Sequence, residues 1–226
     1  EAVNTGIRLA KGDLVCLLNS DVLPEKSFLS AVVPHFHDKL VFAVGLHEAS
    51  HGPATGSFKN GYFAHAGGEE VKSPSFSLWA SGGSAVFSRS IWWKLGGFDT
   101  ELFAPFYWED VDIGYRAWKH GYKILWEPKA IVHHEHEGII NTKSFRKKYM
   151  DLVKERNELL FIWKNITSEI LWKKHQAAVL ARMRRDPGYA RVVFMAFKKR
   201  KLVLKKRLKE KRESTVSDEA VFSHFS

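Results

Sequence analysis

Leu14-Val15-Cys16-Leu17-Leu18-Asn19-Ser20-Asp21 is a run of five apolar residues halted by three polar ones. The run is too short for a helix. Its unbroken apolarity suits a strand buried on both faces, as in the parallel or mixed sheet of an α/β fold. Ligands in open α/β sheets bind beyond the carboxyl ends of the strands, so Asn19-Ser20-Asp21 is a candidate ligand-facing tip. Upstream, Ala2, Val3, Ile7, Leu9 and Ala10 give residues 1–11 the texture of a helix, closed by Lys11-Gly12-Asp13. Downstream, Pro24-Glu25 opens a helix expected to run to about Phe36.

The same alternation continues. Residues 40–46 read as a second apolar strand. Residues 47–78, rich in Gly, Ser and His, read as a functional loop or an irregular hairpin. A short strand at 84–87 follows Gly82-Gly83, where backbone must come close to something. A helix at 90–95 is closed by Gly96-Gly97, and another at 109–120 by Gly121. Strands are expected at 124–126 and 130–132, either side of Glu127-Pro128. From Asn141 the texture changes: Phe145, Tyr149, Leu152, Trp163 and Ile166 recur at helical spacing, and Val193, Phe197, Leu204 and Leu208 repeat the theme. The expected division is an α/β unit over 1–140, a basic amphipathic helical extension over 141–212, and a tail over 213–226.

The 226 residues are 45% hydrophobic and 27% charged, enough for a packed core and against global disorder. No apolar run approaches the roughly 18–20 residues of a membrane span. Residues 1–140 carry 12 Lys and Arg against 16 Asp and Glu, whereas residues 141–226 carry 23 against 9. The net charge of +10 therefore belongs to the C-terminal part, which excludes a basic active domain. A lone Cys16 excludes an internal disulfide and a multi-cysteine zinc site, and fits a reducing, cytoplasmic compartment. Eleven Lys and Arg lie between Arg191 and Arg212 against one acid, Glu210. Interleaved with Phe194, Phe197 and Leu204, they read as a helix lying on an anionic membrane, or as the solvated face of a packed helix. A nucleic-acid patch is a third reading, though no nucleic-acid motif accompanies it.

Three constellations carry chemistry. In Asn19-Ser20-Asp21, a carboxylate and an amide can hold a hard divalent cation that also takes diphosphate oxygens; the same residues are favoured in plain turns. Tyr107-Trp108-Glu109-Asp110-Val111-Asp112 sets three carboxylates in one helical turn after an aromatic loop. Acids at a helix N-terminus are stabilised by its dipole, which is reason enough for them to be there. Yet neighbouring rings exclude water, raise a carboxylate's pKa as a general base requires, and offer flat surface to a sugar ring. In His133-His134-Glu135-His136-Glu137, His134 and His136 share one face of an extended segment and form a possible metal pair, or else belong to a solvated loop.

In this order and spacing, the segments resemble the family 2 glycosyltransferases of the GT-A fold, most of all the bacterial branch of rhamnosyl- and galactofuranosyl-transferases of surface polysaccharides. The resemblance covers about residues 1–140. It rests on Asn4-Thr5-Gly6 with Ala10-Lys11-Gly12, on Leu18-Asn19-Ser20-Asp21, and on Gly96-Gly97-Phe98-Asp99. Tyr107-Trp108-Glu109-Asp110-Val111-Asp112 with Tyr115-Arg116, and Glu127-Pro128 leading to His133-His134, complete it. Arg156-Asn157 also looks like the family's C-terminal extension.

The resemblance implies a GT-A-like mixed, mostly parallel sheet flanked by helices, with the basic helical extension appended. It implies a nucleotide-sugar donor, a glycan or lipid-linked acceptor, and a Mn²⁺ or Mg²⁺ ion. Asp21 matches the family's metal-binding aspartate, with Asn19 beside it on the donor where many members have a further Asp. His134 matches the histidine that completes the metal shell, with His136 as the alternate, and a histidine ligand favours Mn²⁺. Asp110 matches the catalytic base of an inverting displacement, and Asp99, Trp108 and Glu109 would line the acceptor side. The family's first strands, which hold base and ribose, have no counterpart before Glu1, so the chain is expected to be the C-terminal portion of a longer catalytic domain. The competing readings are a catalytically silent glycosyltransferase-like binding module and a basic nucleic-acid- or membrane-binding protein.

Overall fold

The computed structural model describes residues 1–134 and 146–225. Helix α1 (Ala2–Leu9) is followed by strands β1 (Leu14–Leu18) and β2 (Val22–Pro24), helix α2 (Phe28–Val32) with a 3₁₀ turn, and strand β3 (Val41–Glu48). Strands β4 (Ala54–Lys59), β5 (Tyr62–Gly67), β6 (Ser75–Phe76) and β7 (Ser84–Ser88) come next. Helices α3 (Arg89–Leu95), α4 (Thr100–Phe103) and α5 (Glu109–Lys119) lead into strand β8 (Lys123–His134). The C-terminal part is helical: α6 (Lys147–Asn165), α7 (Glu169–Arg185), α8 (Ala190–Phe197), α9 (Arg200–Glu213) and α10 (Asp218–Ser223).

The central sheet has the order β1-β7-β3-β8-β2, with β6 also on β8. It is mixed, as expected, but not mostly parallel: among its described pairings only β3–β8 is parallel. The reason lies in β7, which runs antiparallel between β1 and β3 and so separates two strands of the same direction. Strands β1, β3 and β8 thus still point one way, and their carboxyl ends share an edge. The start of β7 reaches the same edge, because Leu18 pairs with Ser84.

Local chemistry accounts for the other departures. β1 is not buried on both faces. Among the described strands only β7 pairs with it, and Cys16 is exposed. The helix expected from Pro24 begins at Phe28, because Val22–Pro24 pairs with β8; proline, lacking an N–H, is tolerated on such an edge strand. Residues 54–67 form a regular hairpin, turned by Asn60 and Gly61 at φ 52° and 81°, the left-handed pair of a two-residue turn. Glu127-Pro128 does not divide two strands: β8 runs through it, absorbing the disturbance as a register shift against β3.

The sheet is covered on both faces. Val41 and Val44 of β3 pack with Val22, Val32 and Val132, while Phe42 and Ala43 join the larger core. That core does not stop at residue 140. Phe161 of α6, Val192 of α8, Val203 of α9 and Phe222 of α10 belong to it. Phe63 of β5 alone meets Phe161 (ring centroids 4.5 Å), Tyr115 (5.7 Å) and Phe222 (5.8 Å). The expected tail is likewise structural. Asp218, buried at the start of α10, accepts hydrogen bonds from Tyr115 Oη (2.7 Å), Lys119 Nζ (2.8 Å) and the Thr167 and Ser168 main chain (2.7 and 2.6 Å). The helical part is therefore a buttress sharing one core with the α/β part.

Candidate active site

The shared edge of β1, β3 and β8 gathers side chains far apart in sequence. The β2–β8 register pairs Val22 with His134, so Asp21 comes beside the end of β8. Asp21 Oδ2 lies 3.3 Å from His134 Nε2, and on the other side of the ring Glu48 Oε2, at the end of β3, lies 3.2 Å from Nδ1. The pleat sends His133 the other way: it is exposed and faces Glu25. His136 lies outside the described residues. Desolvation works to lower the His134 pKa, but Glu48 and then Asp21 prevail and hold it above the usual imidazole range.

This donor set suits a divalent cation. With Nδ1 on Glu48, the ring turns Nε2 toward the Asp21 carboxylate, and a cation bound between them would take the place of the Nε2 proton, the arrangement by which a carboxylate orients a metal-binding histidine. Among the described residues no three His, Cys, Asp or Glu side chains enclose a cation on their own. A cation between Asp21 and His134 would complete its shell with other oxygens.

The Gly82-Gly83 loop ties this corner to the second one. Asn19 N–H donates to Gly83 O at 2.8 Å, and a Cβ on Gly83 would sit 2.4 Å from the Asn19 side-chain Nδ2, so a larger residue there would displace the Asn19 side chain. One residue earlier, the Gly82 main chain comes near enough to the Asp110 carboxylate to favour its charged form. Asp110 also accepts from Val111 N–H at 2.8 Å, and burial still pushes its pKa above the usual carboxylate range. Beside the loop, a cavity of about 210 Å³ is lined by Glu48, Trp79, Ser81 and Ser84, and the buried Trp79 indole N–H has no partner.

Asp110 is delivered by an unusual entry into α5. Tyr107 and Trp108 both take left-handed conformations, at φ 70° and 80°, which non-glycine residues adopt at a cost. Buried Asn157 of α6 holds this segment: its Nδ2 lies within hydrogen-bonding distance of the carbonyls of Phe103 (2.8 Å), Phe106 (2.9 Å) and Tyr107 (3.0 Å). Trp108 then packs on His65 of the hairpin (ring centroids 5.0 Å), and His65 on Trp79 (5.9 Å), building an aromatic wall. Glu109 is driven to about 7 by burial and then by Asp110, and its Oε2 is buried without a partner.

Asp99 is not on this wall. It caps α4 through Leu102 N–H (3.1 Å) and takes Lys206 Nζ (2.8 Å) on the same oxygen and Lys164 Nζ (3.0 Å) on the other. Burial alone would raise its pKa, but those two ammonium groups hold it at about 2. Its place is in the buried charge network, because both carboxylate oxygens are already used. Glu48, His65, Trp79 and Asn157 are the site residues the sequence reading did not assign to the site. Glu48 had a signal, as the polar end of an apolar strand like Asn19-Ser20-Asp21; His65 and Trp79 had none.

Comparison with known proteins gives the family and the fold. The model of the family described as glycosyltransferase like family 2 matches residues 1–155. Pre-mycofactocin glycosyltransferases from two strains of Mycobacterium tuberculosis are 28% identical over 154 residues, covering 66% of this chain and 32% of theirs. The chain thus spans about a third of the length of these curated relatives. Among solved structures, GalNAc-T7 with UDP, GalNAc and Mn²⁺ superimposes with a TM-score of 0.57 at 18% identity, over 74% of this chain and 34% of that one. At that identity the likeness speaks for the fold, which is that of the GT-A glycosyltransferases.

Proposed function

Because the chain belongs to glycosyltransferase-like family 2, we propose that it is the metal- and acceptor-side part of an inverting glycosyltransferase. The donor is a nucleoside-diphosphate sugar, and the acceptor is a hydroxyl of a glycan or lipid-linked glycan, with transfer of the rhamnosyl or galactofuranosyl type. The observation that carries this reading is the shared edge: Asp21, Glu48 and His134 at strand ends, joined through Asn19 and Gly82-Gly83 to Asp110.

The roles follow from the chemistry of each group. The Asp110 carboxylate takes the proton of the acceptor hydroxyl as that oxygen bonds the anomeric carbon. The bond to the diphosphate breaks on the opposite face, so the configuration inverts. Its raised pKa makes Asp110 a stronger base, while the Gly82 and Val111 contacts keep it aimed. Trp108, with His65 and Trp79 behind it, offers the sugar ring a flat apolar surface, and Glu109 lies beside the acceptor. Asn19 and Asp21 face the donor phosphates, with Glu48 holding the His134 ring so that its Nε2 points to the same place. A Mn²⁺ or Mg²⁺ ion bound there would supply positive charge against the charge that develops on the diphosphate; the imidazole nitrogen favours Mn²⁺.

The test is made on the whole protein. Asp110→Asn is expected to reduce transfer by about 10²–10⁴-fold. Binding of nucleoside diphosphate with Mn²⁺, measured by calorimetry, should stay within roughly threefold, since a base contributes to the transition state rather than to ground-state donor binding. Full transfer by this variant would remove Asp110 from the mechanism. Loss of nucleotide binding in step with activity would turn it into a structural residue.

A further inference from the structure

The fold sorts the cations of α8 and α9 into two sets. Three point inward. Lys199 Nζ donates to the carbonyls of Glu101 (2.7 Å) and Leu102 (2.9 Å), Lys206 Nζ to Asp99 (2.8 Å), and Arg207 to Trp163 O (2.9 Å) while lying over the Trp172 ring. The acid within this stretch, Glu210, is buried and meets His120 Nε2 at 3.3 Å. Every other Lys or Arg from Arg191 to Arg212 is exposed, and no carboxylate of that stretch shares their face. Glu213, just beyond it, pairs with Lys209 and Arg212 at the far end of α9.

The exposed face is also apolar in a pattern. Phe194, Phe197, Leu204 and Leu208 are 50–68% exposed. They recur every three to four residues, with one four-plus-three step through Lys201, so they form one stripe along the two helices. Lys198 Nζ lies 5.0 Å from the Phe194 ring centroid and the Arg200 guanidinium 4.6 Å from that of Phe197, so cations flank the stripe. Inward, Val192, Ala196 and Val203 are buried in the core. The helices are therefore held by one apolar face while presenting a second.

We propose that the outer face of α8 and α9 docks on an anionic lipid bilayer, with Phe194, Phe197, Leu204 and Leu208 entering the headgroup–acyl boundary and Lys198, Lys201 and Lys205 meeting anionic headgroups. Charge selects the partner, because this face is cationic while residues 1–140 are net acidic. The aliphatic side chains separate lipid from nucleic acid: leucines exposed to a polyphosphate backbone gain nothing from it, whereas a bilayer buries them. The inference goes beyond the transfer reaction and stands without it. It also fits it: through inward Lys199 the same helices lean on α4, just ahead of the segment that delivers Trp108 and Asp110.

Flotation of the 226-residue chain with vesicles tests this. Vesicles of phosphatidylcholine are compared with vesicles containing about 30 mol% phosphatidylglycerol, at about 0.1 M and about 1 M salt. The anionic vesicles should bind roughly 100-fold or more tightly at low salt. Each neutralised cation should cost about fivefold, so Lys198→Gln/Lys201→Gln/Lys205→Gln together should lose about 100-fold. Phe197→Ser/Leu204→Ser/Leu208→Ser should abolish whatever binding survives high salt. All six positions are exposed, and an unchanged melting temperature verifies that the variants fold. Equal binding to neutral and anionic vesicles, binding indifferent to both triple variants, or a self-associated chain that leaves the vesicles unbound would overturn the proposal. So would capture of an unstructured RNA oligonucleotide that anionic vesicles fail to displace.

Discussion

Asp110 and Asp112 stand two residues apart in one helix and end in two different kinds of place. Asp112 is fully buried and saturated: Arg116 Nε reaches it at 2.8 Å, Lys164 Nζ at 2.8 and 2.9 Å, and Asn165 Nδ2 at 2.8 Å. Lys164 also binds Asp99, and Arg116 donates onward to the carbonyls of Leu95 and Gly97, so this region is a closed network of charge. The edge holding Asp21, Glu48, His134 and Asp110 is built from strand ends and borders a cavity. The contrast teaches that a count of acids does not mark a site. In the interior, cations from α6 and α9 satisfy the carboxylates; at the edge, strand ends and a glycine loop hold them beside a cavity.

The sharpest way to break this comparison is to exchange the two aspartates' fates. Asp112→Ala leaves Lys164 and Arg116 buried without their main counter-charge and is expected to cost about 3–5 kcal/mol of stability, read by chemical denaturation. Asp110→Asn, by contrast, is expected to leave the melting temperature unchanged or higher, since burial already disfavours the charged form, while transfer collapses. An Asp112→Ala protein as stable as its parent would show the network to be ornamental.

Much of the edge was legible in the sequence because its signals are local. An apolar run halted by Asn19-Ser20-Asp21, a Gly82-Gly83 pair, and aromatic residues before Glu109-Asp110 each read from a few neighbours. What was not legible depends on strand order and on distant helices. Glu48 matters only because β3 and β2 flank β8, which no window of sequence contains. Asp112 could not be told from Asp110 by type, yet at 100° per residue the two diverge by about 200° around the helix. Arg116, four residues on, is within local reach, but Lys164 and Asn165, which complete the claim on Asp112, lie some fifty residues on. Asp99 was misplaced for the same reason, since Lys164 and Lys206 are remote. Residues 213–226 read as a tail because the burial of Asp218 needs α5 and the start of α7 in place.

Glu48 offers a middle-sized test of the edge. If it orients His134 through Nδ1, Glu48→Ala should weaken Mn²⁺ affinity about 10–100-fold, measured by electron paramagnetic resonance of free Mn²⁺ in the presence of nucleoside diphosphate. Glu48→Gln, which can still accept from Nδ1–H, should recover part of that loss. Both variants should melt close to the parent, because Glu48 is partly exposed. Unchanged Mn²⁺ affinity in Glu48→Ala would leave Asp21 and His134 without a reason to be joined by it.

The smallest expected effect concerns Glu109, which sits between the two regions and belongs to neither. Its pKa rises from 4.5 to about 7, by burial first and by Asp110 second. A carboxyl raised on folding binds its proton more tightly in the native state, so the native state loses stability as pH rises from 4.5 to about 7 and carries the full deficit above that. Glu109→Gln removes the deficit. The variant should match its parent near pH 4 and exceed it at pH 8 by about 1–3 kcal/mol, a rise of several degrees in melting temperature for a chain of this size. Parallel stability curves for the two proteins across this window would mean that Glu109 is paired or hydrated in solution, and that the boundary between the charged interior and the open edge runs elsewhere than through Glu109.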